Sequence, residues 1–179
     1  MRRTLWKAAV VAASLMTPAM SFAESPGLGI AVAVNEIPAW SKAVFPDGQG
    51  LPPGSGTVQQ GAILFAEKCA ACHGAEGEGP VKRLSGGIGT LGSPQPVKSV
   101  GSHWPYATTL FGYIRNAMPA NAPKSLTNDE TYALVAYVLS LSGIVEPGVT
   151  IDQQTLPAIK MPAQALLVDH WSAKGELPY

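Results

Sequence analysis

Helical patterns of apolar positions occupy residues 57–143, between two segments that are rich in Pro and Gly. Thr57-Val58-Gln59-Gln60 is a capping box, in which the threonine hydroxyl accepts from the N3 amide and Gln60 reaches back to the cap. The apolar spacing after it predicts a helix that begins at Val58 and carries residues 69–72 near its C-terminus. Another helix is predicted over residues 107–116.

The last helix of this region is predicted to be buried. Thr127-Asn128-Asp129-Glu130 forms a second capping box, and Gly143 suits the C-terminal stop of the helix that follows. Apolar residues occupy almost every face of that helix, which implies burial within a larger structure. Gly61 in the first helix would permit a close helix crossing beside Phe65 and Tyr137. The pattern as a whole predicts one all-α core.

Composition separates the chain into four parts. Residues 1–23 fit a secretory signal, with a basic start, an apolar stretch and the small-x-small sequence Ser21-Phe22-Ala23 at the cleavage site. The arms at 24–56 and 144–179 are rich in Pro and Gly and are predicted to be irregular, flanking the core at 57–143. We expect export to the periplasm and no membrane span in the mature protein, because the apolar stretch is too short; a retained anchor is the alternative.

The net charge and the number of cysteines limit the functions that this chain could have. Loss of residues 1–23 would leave nine Lys and Arg against twelve Asp and Glu, a formal charge of −3. This balance gives no sign of a nucleic-acid partner. The chain has two cysteines, and both lie in one short motif.

That motif, Cys69-Ala70-Ala71-Cys72-His73, is the C-x-x-C-H sequence of covalent haem attachment. Two thiols one helical turn apart can add to the two vinyl groups of one porphyrin, and the next residue then lies beneath the iron. The sequence therefore predicts one haem c, with thioethers from Cys69 and Cys72 and with His73 as the proximal ligand. Dithiol exchange or metal binding by the cysteines is the alternative, but the pattern lacks both a βαβ context and the four ligands of a zinc site.

The sixth ligand of the iron has few candidates, since three of the five methionines lie in residues 1–23. Met118 follows a predicted helix, precedes a proline and lies 45 residues after His73, which is enough chain to wrap a porphyrin. Met161, in a similar Met-Pro pair, and His103, which would give a bis-histidine haem, are the alternatives. Methionine would close the iron to substrates and raise its potential, as in an electron carrier.

Two further residues are predicted beside the haem. The Trp104 indole N–H would reach a propionate while its ring covers the haem edge; a surface-lid aromatic is the alternative. The glycines of residues 74–80 let the backbone pass close to the porphyrin. The Pro80 carbonyl is predicted to accept the Nδ1 proton of His73, which would orient the ring and strengthen the ligand.

These motifs resemble class I cytochrome c, a small α-helical fold with three main helices around a covalent haem. The resemblance covers residues 57–143 and rests on CAACHG, on YIRNAMP and on the two capped helices. It implies thioether roles for Cys69 and Cys72 and axial roles for His73 and Met118.

A narrower resemblance, to the cytochrome subunit of sulfane dehydrogenase in the Sox sulfur-oxidation system, extends into both arms. The similar segments are GLGI at 27–30, EIPAW at 36–40, PDGQGLPPGSGTVQQG at 46–61, GSHWPYATTLFGYIRNAMP at 101–119 and LPAIKMP at 156–162. In that family the cytochrome accompanies a molybdenum-cofactor subunit and accepts the electrons released when sulfur is oxidised. The resemblance implies such a partner. Family members often carry two haem domains, and the single motif here leaves the sulfur substrate open.

The resulting hypothesis is a periplasmic monohaem cytochrome c that is not itself an enzyme. It would accept electrons from a sulfane or sulfite dehydrogenase subunit and pass them, through a downstream cytochrome or oxidase, to the respiratory chain. Two alternatives are a free-standing soluble electron carrier and a haem enzyme or sensor with an open distal site.

Overall fold

The computed structural model describes residues 29–33, 36, 43–79 and 81–167, so the predicted signal at 1–23 lies outside the described residues. The chain divides into two compact units, Met1–Val34 and Asn35–Tyr179. In the first unit, residues 29–33 are exposed and form neither helix nor strand. Within the described ranges, no helix is long and apolar enough to cross a membrane.

The second unit is mainly helical, as predicted. Its elements, in chain order, are β1 (Ser55–Thr57), α1 (Val58–Lys68), α2 (Ala70–His73), α3 (Val100–His103), α4 (Ala107–Ala117), α5 (Asn128–Ser140), β2 (Thr150–Asp152) and 3₁₀ turns at Leu156–Ala158 and Pro162–Leu166.

Helices α1 and α5 cross closely at Gly61. A Cβ at Gly61 would overlap the carbonyl oxygen of Ala133, so this approach requires glycine. Beside the crossing, the rings of Phe65 and Tyr137 pack with their centroids 5.1 Å apart and their planes at 54°. The predicted crossing is confirmed, and it fixes the position of the helix that leads to the cysteines.

Both predicted capping boxes are present. The Thr57 hydroxyl accepts from the Gln60 N–H, and the Gln60 side chain accepts from the Thr57 N–H at 2.9 Å. Thr127 and Glu130 form the same pair of bonds at the start of α5. The predicted stop at Gly143 is also present: it has φ 67°, and hydrogen bonds of 2.9 and 3.1 Å close a Schellman motif around it.

The sequence pattern predicts that the haem-binding motif continues the helix α1. In the structure the helix is instead broken at Cys69. The backbone of Cys69 has φ −125° and ψ −38°, so α1 stops at Lys68 and the short helix α2 carries Cys72 and His73. The N–H groups of Cys72 and His73 lie 3.1 and 3.0 Å from the Cys69 carbonyl. The two thiols therefore belong to a separate turn.

The segment after α5 packs into the core, which differs from the irregular arm that its composition predicts. Strand β2 pairs antiparallel with β1, with Ile151 opposite Gly56. Ile151 and Leu156 are fully buried, and Met161 is 3% exposed. Prolines stand in the first turn of each 3₁₀ segment, where their missing N–H leaves no hydrogen bond unmade. The buried residues Ile151, Leu156 and Met161 are far apart in this segment, so they form no periodic pattern from which their burial could be predicted.

The described segment at 43–54 is tied to the first turns of α5. Two hydrogen bonds make this connection: Tyr132 Oη donates to the Pro52 carbonyl (2.8 Å), and Asn128 Nδ2 donates to the Pro53 carbonyl (3.1 Å). The residue after this segment, Ser55 of β1, adds a third, from its N–H to Asp129 Oδ1 (2.8 Å). Burial raises the pKa of Tyr132 to about 12. Tyr132 therefore stays a hydrogen-bond donor at physiological pH.

Replacing Gly61 by alanine tests the helix crossing. The added methyl group would overlap the Ala133 carbonyl, so we expect the free energy of unfolding to fall by about 1–3 kcal/mol, although alanine favours an isolated helix. Urea unfolding of the holoprotein measures this. The control is Gly92→Ala, where a Cβ meets nothing within 4 Å. Equal stability of the two variants would show that the crossing tolerates a side chain.

Replacing Glu130 by glutamine tests the ion pair between α1 and α5. Lys68 Nζ lies 2.7 Å from Glu130 Oε1, and this hydrogen bond, followed by that from the Thr127 N–H, lowers the pKa of Glu130. A lowered pKa stabilises the fold above the unfolded-state pKa, and the contribution disappears as pH falls through the folded-state value.

We therefore expect Glu130→Gln to lower the free energy of unfolding by roughly 0.2–1 kcal/mol at pH 7, since the amide still accepts from the Thr127 N–H. The deficit should shrink as pH falls below the unfolded-state pKa of about 4.3, vanish once the pH lies below the lower folded-state value, and shrink at high ionic strength. Denaturant titrations at several pH values measure it. A deficit that stays constant between neutral and acidic pH would contradict the charge-based account.

Candidate haem site

A backbone carbonyl holds the ring of His73, the last residue of α2. Nδ1 lies 3.0 Å from the carbonyl oxygen of Lys82. Because a carbonyl can only accept, Nδ1 is the donor, so the neutral imidazole carries its proton on Nδ1 and its lone pair on Nε2. This is the tautomer that presents Nε2 to a metal, and the hydrogen bond also fixes the orientation of the ring.

The predicted acceptor of this hydrogen bond, Pro80, lies outside the described residues, and the Lys82 carbonyl occupies the acceptor position. The loop after His73 folds back, because the Gly79 N–H donates to the His73 carbonyl at 2.6 Å. A Cβ at Gly79 would overlap the main chain of His73, so this return path needs glycine. The glycines predict that the backbone comes close, but their spacing does not specify which carbonyl meets Nδ1.

Cys69 and Cys72 are both free thiols; Cys69 is half-buried and Cys72 is exposed. Burial raises the pKa of the Cys69 thiol, against the opposing effect of the neighbouring Lys68 ammonium. The free thiol is the state in which sulfur can add to a vinyl group.

Met118 lies at the point where α4 ends. Its N–H still donates to the Ile114 carbonyl at 3.0 Å, but its backbone is extended, with φ −120° and ψ 150°. The side chain is half-buried and packs against the core. A helix terminus followed by Pro119 thus holds the thioether at a defined position at the edge of the core.

The alternative sixth ligands occupy different environments. Met161 is 3% exposed and packs inside the hydrophobic core, whereas His103 is exposed at the end of α3. These placements favour Met118, because its thioether is neither enclosed by core side chains nor directed wholly to solvent. The axial role of Met118 stays a prediction.

Trp104 is half-buried and contacts Tyr113 edge-on, with ring centroids 5.6 Å apart and planes at 88°. Tyr113 is 49% exposed on α4, a helix that buries five other residues. The haem contact of Trp104 stays a prediction, but its aromatic partner was missed by the sequence analysis. The sequence signal for this contact was Tyr113 itself, the first residue of the YIRNAMP segment that contains the predicted ligand Met118.

The loop that joins α2 to α3 is fixed by serine side chains. Ser99 and Ser102 form a third capping box at the start of α3. The Ser99 hydroxyl also donates to the Gly86 carbonyl at 2.5 Å, and Ser102 donates to the Val97 carbonyl at 2.7 Å. The sequence analysis missed this box because serine replaces the usual Glu or Gln at N3.

The donor set fits a covalently bound haem. Two free thiols flank one turn, an imidazole keeps Nε2 available, and a thioether lies at a helix end; imidazole and thioether are established haem-iron ligands. Across the described ranges, no three His, Cys, Asp or Glu side chains gather in a way that could hold a metal ion by themselves.

Comparisons with known proteins agree with this chemistry. The profile of the family described as "Cytochrome c" matches residues 58–142. Thiosulfate dehydrogenase of Allochromatium vinosum is 28% identical over 114 residues, which make up 63% of this chain and 38% of that protein. The chain therefore spans well under half the length of this relative.

A solved structure is similar over most of its length. A chain of the sulfane dehydrogenase SoxCD from Paracoccus pantotrophus is 40% identical, with a TM-score of 0.75; the match covers 86% of this chain and 77% of that chain. The resemblance to a sulfane dehydrogenase cytochrome is thereby confirmed. With the C-x-x-C-H turn, the helical core and the profile match in agreement, the chain belongs to the cytochrome c family, whose members carry covalently bound haem.

Proposed function

We propose that this chain is a periplasmic monohaem cytochrome c that accepts electrons from a molybdenum-containing sulfur-compound dehydrogenase. It would pass them to a downstream cytochrome or oxidase of the respiratory chain. The observation that carries the electron-transfer role is the arrangement of donors: His73, with Nδ1 bonded to the Lys82 carbonyl, and Met118 at the end of α4. The haem supplies a reversible one-electron couple when it is bound in this way.

Each residue of the site has a separate physical task. Cys69, immediately before α2, and Cys72, within it, would hold the cofactor through two covalent bonds and so keep it from exchanging with solvent. The Lys82 carbonyl keeps the His73 ring in one tautomer and increases the basicity of Nε2. Met118, as sixth ligand, would deny the distal position to water and substrates. The site needs no catalytic acid, base or nucleophile.

The sulfur-compound partner is supported by both relatives. One is named a sulfane dehydrogenase and the other a thiosulfate dehydrogenase, and the first is similar along 86% of this chain. The molybdenum subunit follows from the resemblance to the cytochrome subunit of sulfane dehydrogenase. The periplasmic location follows from the signal pattern at residues 1–23.

Replacing Met118 by alanine tests the electron-carrier proposal against a haem enzyme or sensor. The native holoprotein should be low-spin, show a sulfur-to-iron charge-transfer band and bind carbon monoxide slowly. Met118→Ala should lose that band, bind carbon monoxide rapidly and have a lower reduction potential, because the thioether favours reduced iron. Absorption spectra and potentiometric titration measure these changes.

The matched controls are Met161→Ala and His103→Ala. Met161→Ala should lower the free energy of unfolding by about 2–5 kcal/mol through the cavity it leaves, with the native spectrum retained. His103→Ala should change neither property. Loss of the charge-transfer band in Met161→Ala alone would assign the ligand to Met161. A native protein that is already high-spin and binds carbon monoxide rapidly would favour the open distal site.

Purification from the native periplasm, followed by metal analysis, tests the partner. We expect iron from the cytochrome and molybdenum from a second subunit in a constant ratio through successive columns. The isolated cytochrome should be reduced when that fraction receives a sulfur compound such as sulfite or thiosulfate. Repeated recovery of a lone cytochrome without molybdenum would instead support a free-standing soluble carrier.

A further inference from the structure

A polar cavity of about 180 Å³ lies between the C-terminal end of α4 and the N-terminal end of α5. Five residues line it: Arg115, Asn116, Lys124, Leu126 and Asn128. Each polar side chain of the lining can donate hydrogen bonds, two of them carry a positive charge, and no carboxylate belongs to the lining. A lining of this kind is complementary to an anion.

Within the part of the chain that the structure describes, no ion pair of either cation of the cavity, Arg115 or Lys124, is found. Within the described ranges, the ion pair found joins Lys68 to Glu130. Glu130 also accepts from the Thr127 N–H at 2.8 Å, and Asp129 accepts from the Ser55 N–H at 2.8 Å. Neither of these carboxylates belongs to the lining of the cavity.

Lys124 is held in a conformation that L-residues avoid. Its φ is 64°, and among the described residues it is the non-glycine residue with a positive φ. It lies within a turn that the Ser125 N–H closes on the Ala122 carbonyl at 3.3 Å, and another turn, from the Ala122 N–H to the Pro119 carbonyl at 2.9 Å, precedes it. Such strained positions cluster at functional sites. Here the strained residue supplies one of the two positive charges.

Arg115 and the Trp104–Tyr113 aromatic pair lie on different faces of α4. Arg115 follows Phe111 by four residues and shares its face of α4, and the Phe111 ring lies 4.5 Å from that of Tyr132 on α5. Tyr113, the partner of Trp104, points from the opposite face of α4. Arg115 therefore lies on the face of α4 that packs on α5, away from the aromatic pair.

We propose that this cavity binds a small tetrahedral oxyanion of the sulfate type, held by Arg115, Lys124 and Asn128. Asn128 Nδ2 carries two hydrogens; one donates to the Pro53 carbonyl at 3.1 Å, and the other would serve the anion. The volume is several times the ~30 Å³ of a liquid water molecule and admits such an ion with part of its hydration. The proposal does not depend on the redox partner.

The test is a titration of the full-length holocytochrome with sodium sulfate, against sodium chloride at matched ionic strength. Amide NMR spectra of the reduced protein should show saturable shifts confined to residues 115–128. The double variant Arg115→Gln/Lys124→Gln should bind sulfate about tenfold more weakly or worse, as expected for loss of charge-assisted hydrogen bonds. The control Lys98→Gln removes an exposed cation from another loop and should bind like the native protein.

A second variant separates binding from folding. Lys124→Gly removes the charge and also the left-handed strain, so we expect the melting temperature to rise by about 2–4 °C while sulfate affinity falls. Identical responses to sulfate and chloride, or native affinity in the double variant, would overturn the proposal. Acetate that binds as tightly as sulfate would also overturn it, because the cavity would then favour a carboxylate, such as that of a partner protein, over a tetrahedral oxyanion. None of these outcomes bears on the electron-transfer role.

Discussion

The architecture depends on the contact between Gly61 of α1 and the Ala133 carbonyl of α5. No side chain separates the two helices there, so Phe65 and Tyr137 can meet on one side of the crossing. Helix α5 buries eight of its thirteen residues, because α1, α4 and the β1–β2 pair all pack on it. The position of α1 on α5 then determines where Cys69 and the turn after it begin.

One predicted axial ligand ends α4, which packs on this central helix, and the other lies on α2, which packs on α1. His73 follows α1 by one short turn, and its ring is held by a main-chain carbonyl, a group that substitution of the Lys82 side chain does not remove. Met118 ends α4, which is fixed to α5 by the Phe111–Tyr132 contact. Covalent attachment and a firm protein frame suit a cofactor that exchanges electrons without changing its ligands.

Local sequence signals predicted local structure well. The capping boxes at Thr57 and Thr127, the glycine at the crossing and the C-x-x-C-H turn each act through bonds between near neighbours or through one steric requirement. The same signals did not predict the break at Cys69 or the carbonyl that meets His73 Nδ1, because both depend on how a glycine-rich loop returns. Nor did they predict the burial of Ile151, which tertiary packing alone determines.

The central claim, that His73 and Met118 are the axial ligands, is tested most directly by NMR of the reduced holoprotein with methyl-labelled methionine. Residues 24–179 contain two methionines, Met118 and Met161. An axial methionine methyl lies over the porphyrin and is shifted far upfield by its ring current. The account predicts one such methyl, with contacts that assign it to the end of α4, and an ordinary shift for Met161. An upfield methyl assigned to Met161, or none at all, would contradict it.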